Sequence, residues 1–222
     1  MKNEVYDILI IGAGAAGAAA AWNLSGNGFK ILCVDQGPNI NPMAYSFSQQ
    51  HWESHKLGKF NINPNIRKLK SDYPINDKNS PISIANFNAV GGSTILYSGH
   101  FPRFHESDFE TKTLDRVGDD WPFKYKDLEP FYNLNDKMMG VAGLRGDPAY
   151  PEIDNLLPPV PIEKSGEKIA KAFNKLKWHW WPSYSAIATK NYRGRKKNSR
   201  SEVNLTYLPK ALANGVKLKS NF

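Results

Sequence analysis

Apolar positions crowd the start of the chain. The run 5–11, VYDILII, holds five aliphatic residues and neither Pro nor Gly, which predicts a buried strand. Glycine and alanine then alternate, and an alanine-rich helix is expected to about Leu24. Ser25-Gly26-Asn27-Gly28 supplies left-handed residues to stop it. A second strand over 29–34 ends at Asp35, and its single cysteine, Cys33, reads as a small core residue. The pattern dissolves over 38–80, a polar stretch with Pro38, Pro42, Pro64 and Pro74 that predicts a long loop. His51, Trp52 and His55 lie in it and are read as loop packing in preference to ligand contacts.

Helical spacing returns at 125–139, where Leu128, Phe131, Leu134 and Met138 mark a core-facing stripe and Gly140 a stop. Pro130 is tolerable there only in the first turn. Five prolines between 147 and 161 predict an extended crossing. Ser165 caps a further helix with Ile169, Phe173 and Leu176 on its buried face. Residues 178–188 alternate as a strand, with His179 structural; 201–214 read as a helix stopped by Asn214-Gly215, and 216–222 as a last strand. A strand that closes on the final residue reads as a chain cut short.

Strand, glycine turn, helix, strand and terminal acid form a βαβ dinucleotide fingerprint. Gly12 permits the tight turn, Gly14 lets backbone approach a pyrophosphate, and Gly17 brings helix and sheet together. The helix mouth, Gly14-Ala15-Ala16-Gly17, presents N–H groups and a positive dipole end to phosphate. Asp35, followed by Gln36, is placed to accept from ribose hydroxyls. Residues 82–109 carry a second glycine turn, Val90-Gly91-Gly92-Ser93-Thr94. A Gly-Gly pair can curl N–H groups into an anion nest, with the two hydroxyls as added donors.

At 222 residues and 41 % hydrophobic composition the chain can bury a core, and no apolar run approaches the roughly 20 residues of a membrane span. Net charge is +8, much of it in Lys190, Arg193, Arg195, Lys196, Lys197 and Arg200. Trp178, Trp180, Trp181 and Tyr184 precede that run, but no nucleic-acid-binding motif accompanies it, so it reads as a solvated or partner-facing loop. One cysteine excludes an internal disulfide. No metal site is expected.

Three segments carry a family resemblance: the opening fingerprint with Asp35-Gln36-Gly37-Pro38, the Val90–Thr94 turn, and Phe101-Pro102-Arg103-Phe104. With these the chain resembles the amino-terminal part of the glucose–methanol–choline oxidoreductases. It is most similar to gluconate and fructose dehydrogenase flavoprotein subunits, which share runs like 100–105 and 121–132. The resemblance implies an α/β, Rossmann-like FAD/NAD(P)-binding fold with a mostly parallel sheet, continued by the start of a substrate-side α+β region. It implies an FAD-binding domain over 1–146, with the βαβ unit at 5–37 and the second flavin turn at 88–105. A Pro-rich crossing and the start of a substrate domain follow over 147–190; a basic loop, helix and strand rejoining the sheet occupy 191–222.

The implied cofactor is FAD, held by Gly12, Gly14, Ala15, Ala16, Gly17, Asp35, Gln36, Val90, Gly91, Gly92, Ser93 and Thr94, with Tyr97 against the flavin. Leu96 and Tyr97 stand near where some relatives attach FAD covalently through histidine, so non-covalent binding is expected. Phe87 departs from the family's small residue, and the cysteine-rich patch that follows a run like 192–197 in related subunits is missing. The implied reaction is oxidation of CH–OH groups of alcohols, sugars or polyols by hydride transfer to flavin N5. The family's catalytic histidine belongs to its carboxy-terminal third, so no residue here is named catalytic. Implied partners are the small alcohol or sugar, and the missing carboxy-terminal part or an electron-accepting subunit; nucleic acid is not among them. Two alternatives stand beside this: a flavin-binding fragment or partner-dependent subunit without activity of its own, and an NAD-dependent dehydrogenase. A cytoplasmic site is expected, or a periplasmic one through a partner.

Overall fold

The structure, a computed structural model, describes residues 4–41, 57–73 and 75–222. His51, Trp52 and His55, with Pro42 and Pro74, lie outside the described residues. The chain divides into two compact units, Gly99–Ser201 and the pair of segments Met1–Ser98 and Glu202–Phe222.

In the split unit, β1 (Ile8–Ile11), α1 (Ala15–Leu24) and β2 (Ile31–Val34) form the expected βαβ crossover. β3 (Lys217–Lys219) completes a parallel sheet of order β1-β2-β3, with Ile8 opposite Ile31 and Leu32 opposite Lys217. The last strand thus rejoins the sheet that the first two begin, but it spans three residues rather than 216–222. β1 is shorter than expected too, and it is not buried. Ile11 is 82 % exposed, because β1 pairs on one side only among the described residues and sits at the sheet edge. β2, paired on both sides, buries Ile31, Cys33 and Val34.

Small residues set the helix packing. α1 buries Ala18 and Ala21 against α6 (Tyr207–Ala213), which buries Ala211, and Trp22 meets the Tyr207 ring edge-on at 5.5 Å. The helix expected over 201–214 is therefore confined to its second half. Of the residues expected to stop α1, only Gly28 has a positive φ, +80°; Ser25 caps the helix in the right-handed region. The loop after residue 56 is pinned by a buried arginine. Arg67, at the end of the short α2 (Pro64–Arg67), makes a two-pronged ion pair with Asp72 at 2.6 and 2.9 Å. It also donates to the carbonyls of Asn61 and Asn86 and lies 4.6 Å from the Phe87 ring centroid. Burial pushes the Asp72 carboxyl up, but Arg67 and the Leu69 N–H outweigh that and hold it below its usual range. Phe87 itself is core, with Phe60, Ala89, Ile95 and Leu96.

The second unit, Gly99–Ser201, is built around one aromatic residue and one ion pair. Phe109, just ahead of the short α3 (Thr111–Asp115), packs against Phe104, Trp121, Phe123 and Tyr125, all with centroids 6.0 to 6.3 Å away. Arg103 holds Asp136 through Nε at 3.0 Å and a second nitrogen at 2.6 Å, and donates to Tyr125 Oη and Asn133 Oδ1. Asp136 and Tyr125 belong to α4 (Tyr125–Met139), which ends at left-handed Gly140 as expected. The expected stripe on α4 is corrected. Met138 is buried as expected, but Phe131 is 66 % exposed, because the other buried residues are Tyr125, Asp136 and Met139, the first two bonded to the Arg103 guanidinium. Pro130 lies inside the helix, not in its first turn.

Three further expectations change. The helix α5 (Lys164–Leu176) is preceded by Glu163 as its cap, not capped by Ser165, and buries only Ala170. Residues 178–188 form isolated bridges, Ser185 to His100 and Ala142 and Ile187 to Arg200, rather than a strand. Within the basic run, Arg195 and Arg200 are buried, and Arg195 donates to the Met139 carbonyl and Ser201, so part of that run is structural.

Candidate dinucleotide site

The site forms where two glycine turns meet within the split unit. Gly12 leaves β1 with φ +95°, and its N–H donates to the Val34 carbonyl at 2.8 Å. Gly14 is the N-cap of α1 with no side-chain cap, so the N–H groups of the first turn, through Gly17, have no acceptor within the helix. A Cβ on Gly17 would overlap the Gly12 carbonyl oxygen, which is why that position must be glycine. Ala15 and Ala16 complete the turn without bulk.

The second turn lands on the first. Gly91, φ +100°, donates its N–H to the Ala13 carbonyl at 2.9 Å, and a Cβ on Gly92 would stand 3.0 Å from Gly14 Cα. Residues Gly92–Ile95 form a 3-10 turn, and Val90 anchors it by donating to the Pro38 carbonyl at 3.1 Å. The expected nest of Gly91 and Gly92 amides is not formed: Gly92 N–H goes to the Ala89 carbonyl at 2.7 Å. The hydroxyls also serve the fold. Thr94 Oγ1 donates to the Gly91 carbonyl at 2.6 Å, and Ser93 Oγ accepts from Phe87 N–H at 3.3 Å. The second turn therefore shapes the site by close approach, with the Gly91 and Gly92 N–H groups and the Thr94 hydroxyl already engaged within the fold.

Asp35 is buried at the end of β2. One carboxylate oxygen accepts from Ala13 N–H and the other from Gly37 N–H, each at 2.8 Å, so the acid ties the glycine turn to the strand end. Each oxygen retains a lone pair, since an ionised carboxylate offers about four acceptor positions. Asp35 and Gln36 line a cleft of about 380 Å³ with Gly12, Gly14, Asn88, Gly92 and Phe222. That falls in the range of roughly 300–1,000 Å³ usual for small-molecule sites. Tyr97 lines a smaller apolar cleft of about 270 Å³, with Ile62, Phe87 and Leu96. Asn86 and Phe87 line both.

Sequence reasoning passed over Asn88, whose side chain donates to Asp72 at 3.2 Å, and Phe222, whose N–H donates to the Asp35 carbonyl at 3.1 Å. No local signal marks either. Among the described residues no cluster of His, Cys, Asp and Glu could hold a metal ion.

Parallel strands joined by a helix, with a bare helix mouth facing an acid at the next strand end, define a dinucleotide-binding protein. The NAD(P)-binding Rossmann-like domain family matches residues 10–71. The chain is 36 % identical to a 2-methyl-1,2-propanediol dehydrogenase of Mycolicibacterium austroafricanum, over 97 % of this chain and 42 % of that protein. It is 26 % identical to the fructose dehydrogenase large subunit of Gluconobacter japonicus, over 88 % of this chain and 39 % of that one. In structure it is similar to pyridoxine 4-oxidase from Mesorbium loti, with TM-score 0.56 and 18 % identity, over 98 % of this chain and 42 % of that one; this likeness speaks for the fold. The chain belongs to the glucose–methanol–choline oxidoreductase family. It spans about two-fifths of the length of these relatives.

Proposed function

We propose that the chain is the FAD-binding part of an oxidoreductase that oxidises CH–OH groups of alcohols, sugars or polyols. The observation that carries this is the meeting of the two glycine turns through the Gly91 N–H bond to Ala13. A nicotinamide fingerprint needs only the first turn; a longer, bent cofactor uses a wall built by the second. The residues fit the group. First-turn N–H groups of α1 and the helix dipole take the diphosphate. The spare lone pairs of Asp35 take ribose hydroxyls. The apolar cleft beside Tyr97 suits a flat aromatic ring. When bound, FAD supplies the hydride acceptor at N5.

This chain's own residues bind and orient the cofactor and exclude water from it. Among the described residues no histidine lines either cleft, and Asp35, the carboxylate that lines one of them, already braces two N–H groups. On the family resemblance, the base that removes the hydroxyl proton is assigned to the carboxy-terminal third of such proteins, and the binding expected is non-covalent. The test is to denature the purified chain and identify what it releases. FAD near one per chain supports the reading; NAD(P) released in its place contradicts it. Anaerobic addition of alcohols and polyols should leave the flavin oxidised unless a second polypeptide is supplied.

A further inference from the structure

The amphipathic helix α5, in the Gly99–Ser201 unit, leaves part of its apolar face uncovered, although Phe173 on that face is half-buried. Ile169 and Leu176, two turns apart on one row, are 55 % and 56 % exposed, and Trp178, just past the helix, is 61 % exposed. Ala170 is the helix's one buried residue among those described, so the packed side lies beside the apolar row rather than under it. The neighbouring row carries Lys168 and Lys175, again two turns apart, and the row beyond it Lys164 and Lys171; all four are exposed. Lys177 follows the helix, and the opposing charges are Glu163 and Glu167 at its start. Trp178 leans on Phe173 at 5.7 Å, and Trp180 and Trp181 follow, their indole N–H groups bound to Asn174 Oδ1 and the Leu144 carbonyl, each at 2.8 Å.

We propose that α5 and the tryptophan segment after it form a docking face for an anionic phospholipid surface. Charge and composition select that occupant. A helix of low net hydrophobicity with a sharply segregated apolar stripe, flanked by lysines, lies in the plane of a membrane interface. Tryptophan rings, apolar with a polar edge, favour the same depth. A protein groove matched to the apolar row would leave the lysine rows unanswered unless it were itself acidic. An anionic bilayer surface answers both at once, its headgroups taking the lysines and its acyl boundary the apolar row. No helix of the described residues is long and apolar enough to cross a membrane, so the contact is peripheral.

The test uses the full chain and two kinds of vesicle, pure phosphatidylcholine and a mixture with phosphatidylglycerol, followed by sedimentation. The chain binds the mixed vesicles at low ionic strength and leaves them as salt is raised. Each lysine near such a surface contributes about fivefold, so Lys168→Gln with Lys175→Gln weakens binding about 25-fold. Ile169→Ser with Leu176→Ser abolishes binding with every lysine in place. Quenching of tryptophan fluorescence by brominated lipid falls in Trp178→Phe. All these positions are exposed, and an unchanged far-UV spectrum verifies the fold of each variant. Equal binding to both vesicle types, no binding to the mixed vesicles, or variants that bind like the parent overturns the proposal. So does burial of α5 against a second copy in solution.

Discussion

Replacing Asp136 by leucine strands a guanidinium. Arg103 and Asp136 side chains are 3 % and 4 % exposed, and the pair is bound through two bonds at 2.6 and 3.0 Å. Burial holds the Asp136 carboxyl above its ordinary range despite the arginine; burial also opposes the charge on Arg103, but the bonds to Tyr125 and Asp136 together outweigh it and keep the guanidinium firmly protonated. Breaking such a pair from one side costs about 3–5 kcal/mol, because the remaining charge has no water to turn to. Tyr125 and Asn133 still accept from Arg103 after the substitution, which favours the lower half of that range. For a chain of this size each kcal/mol moves the melting temperature by roughly 2–4 °C, so Asp136→Leu should lower it by about 6–16 °C. The double change Arg103→Met with Asp136→Leu should recover most of that, since a filled apolar core replaces the pair. Thermal unfolding followed by far-UV circular dichroism measures both. A single variant within about 2 °C of the parent, or a double variant that loses the sum of the two singles, refutes the reasoning.

Burial, and secondarily the Asp35 charge, pushes the Cys33 thiol up to about 11. The folded state keeps the thiol neutral, so its contribution is full below about pH 9 and fades as pH rises toward 11; Cys33→Ser should flatten that alkaline loss in a pH series of melts. The same thiol should react with a disulfide reagent only after denaturation; prompt reaction in the native protein would contradict its burial. Gly17→Ala places a methyl on the Gly12 carbonyl and should cost about 1–3 kcal/mol, read as a loss of melting temperature together with cofactor. Glu4 is held down to about 2 by bonds from Lys217, Tyr6 and Lys30, so its tie between the amino-terminal segment and β3 persists from ordinary pH until acid falls toward that value. The protection of the residue 5–8 amides, relative to their intrinsic exchange rate, should fall there and not at pH 5.

The βαβ unit was legible because each glycine has a local reason, and Gly12 and Gly17 show those reasons in φ and in close approach. The contact of Gly91 with Ala13 was not, since the partners are far apart in sequence and neither carries a side chain that advertises it. Periodicity identified α4 and α5 as amphipathic but misplaced their faces. On α4, a buried aspartate draws the helix round toward Arg103; on α5, an apolar stripe looks the same in sequence whether a core or an outside surface covers it. Arg195 read as part of a solvated run, while Arg67 and Arg103 carried no signal of burial in the sequence; all three are buried because carboxylates or carbonyls converge on them in the fold. The 178–188 alternation failed as a strand because its partners offer single bridges, not a ladder.

The central claim is that the two glycine turns enclose one FAD. Titration of the cofactor-stripped chain with FAD, FMN and NAD, followed by flavin and protein fluorescence, tests it most directly when run beside Gly92→Val, which drives a side chain toward Gly14 Cα from a position at φ +54°. Saturable binding of FAD, little of FMN, which lacks the adenylate that α1 and Asp35 would hold, and loss of FAD binding in Gly92→Val is the expected outcome. Tighter binding of NAD than of FAD, or unaltered FAD binding in a folded Gly92→Val, would contradict the account.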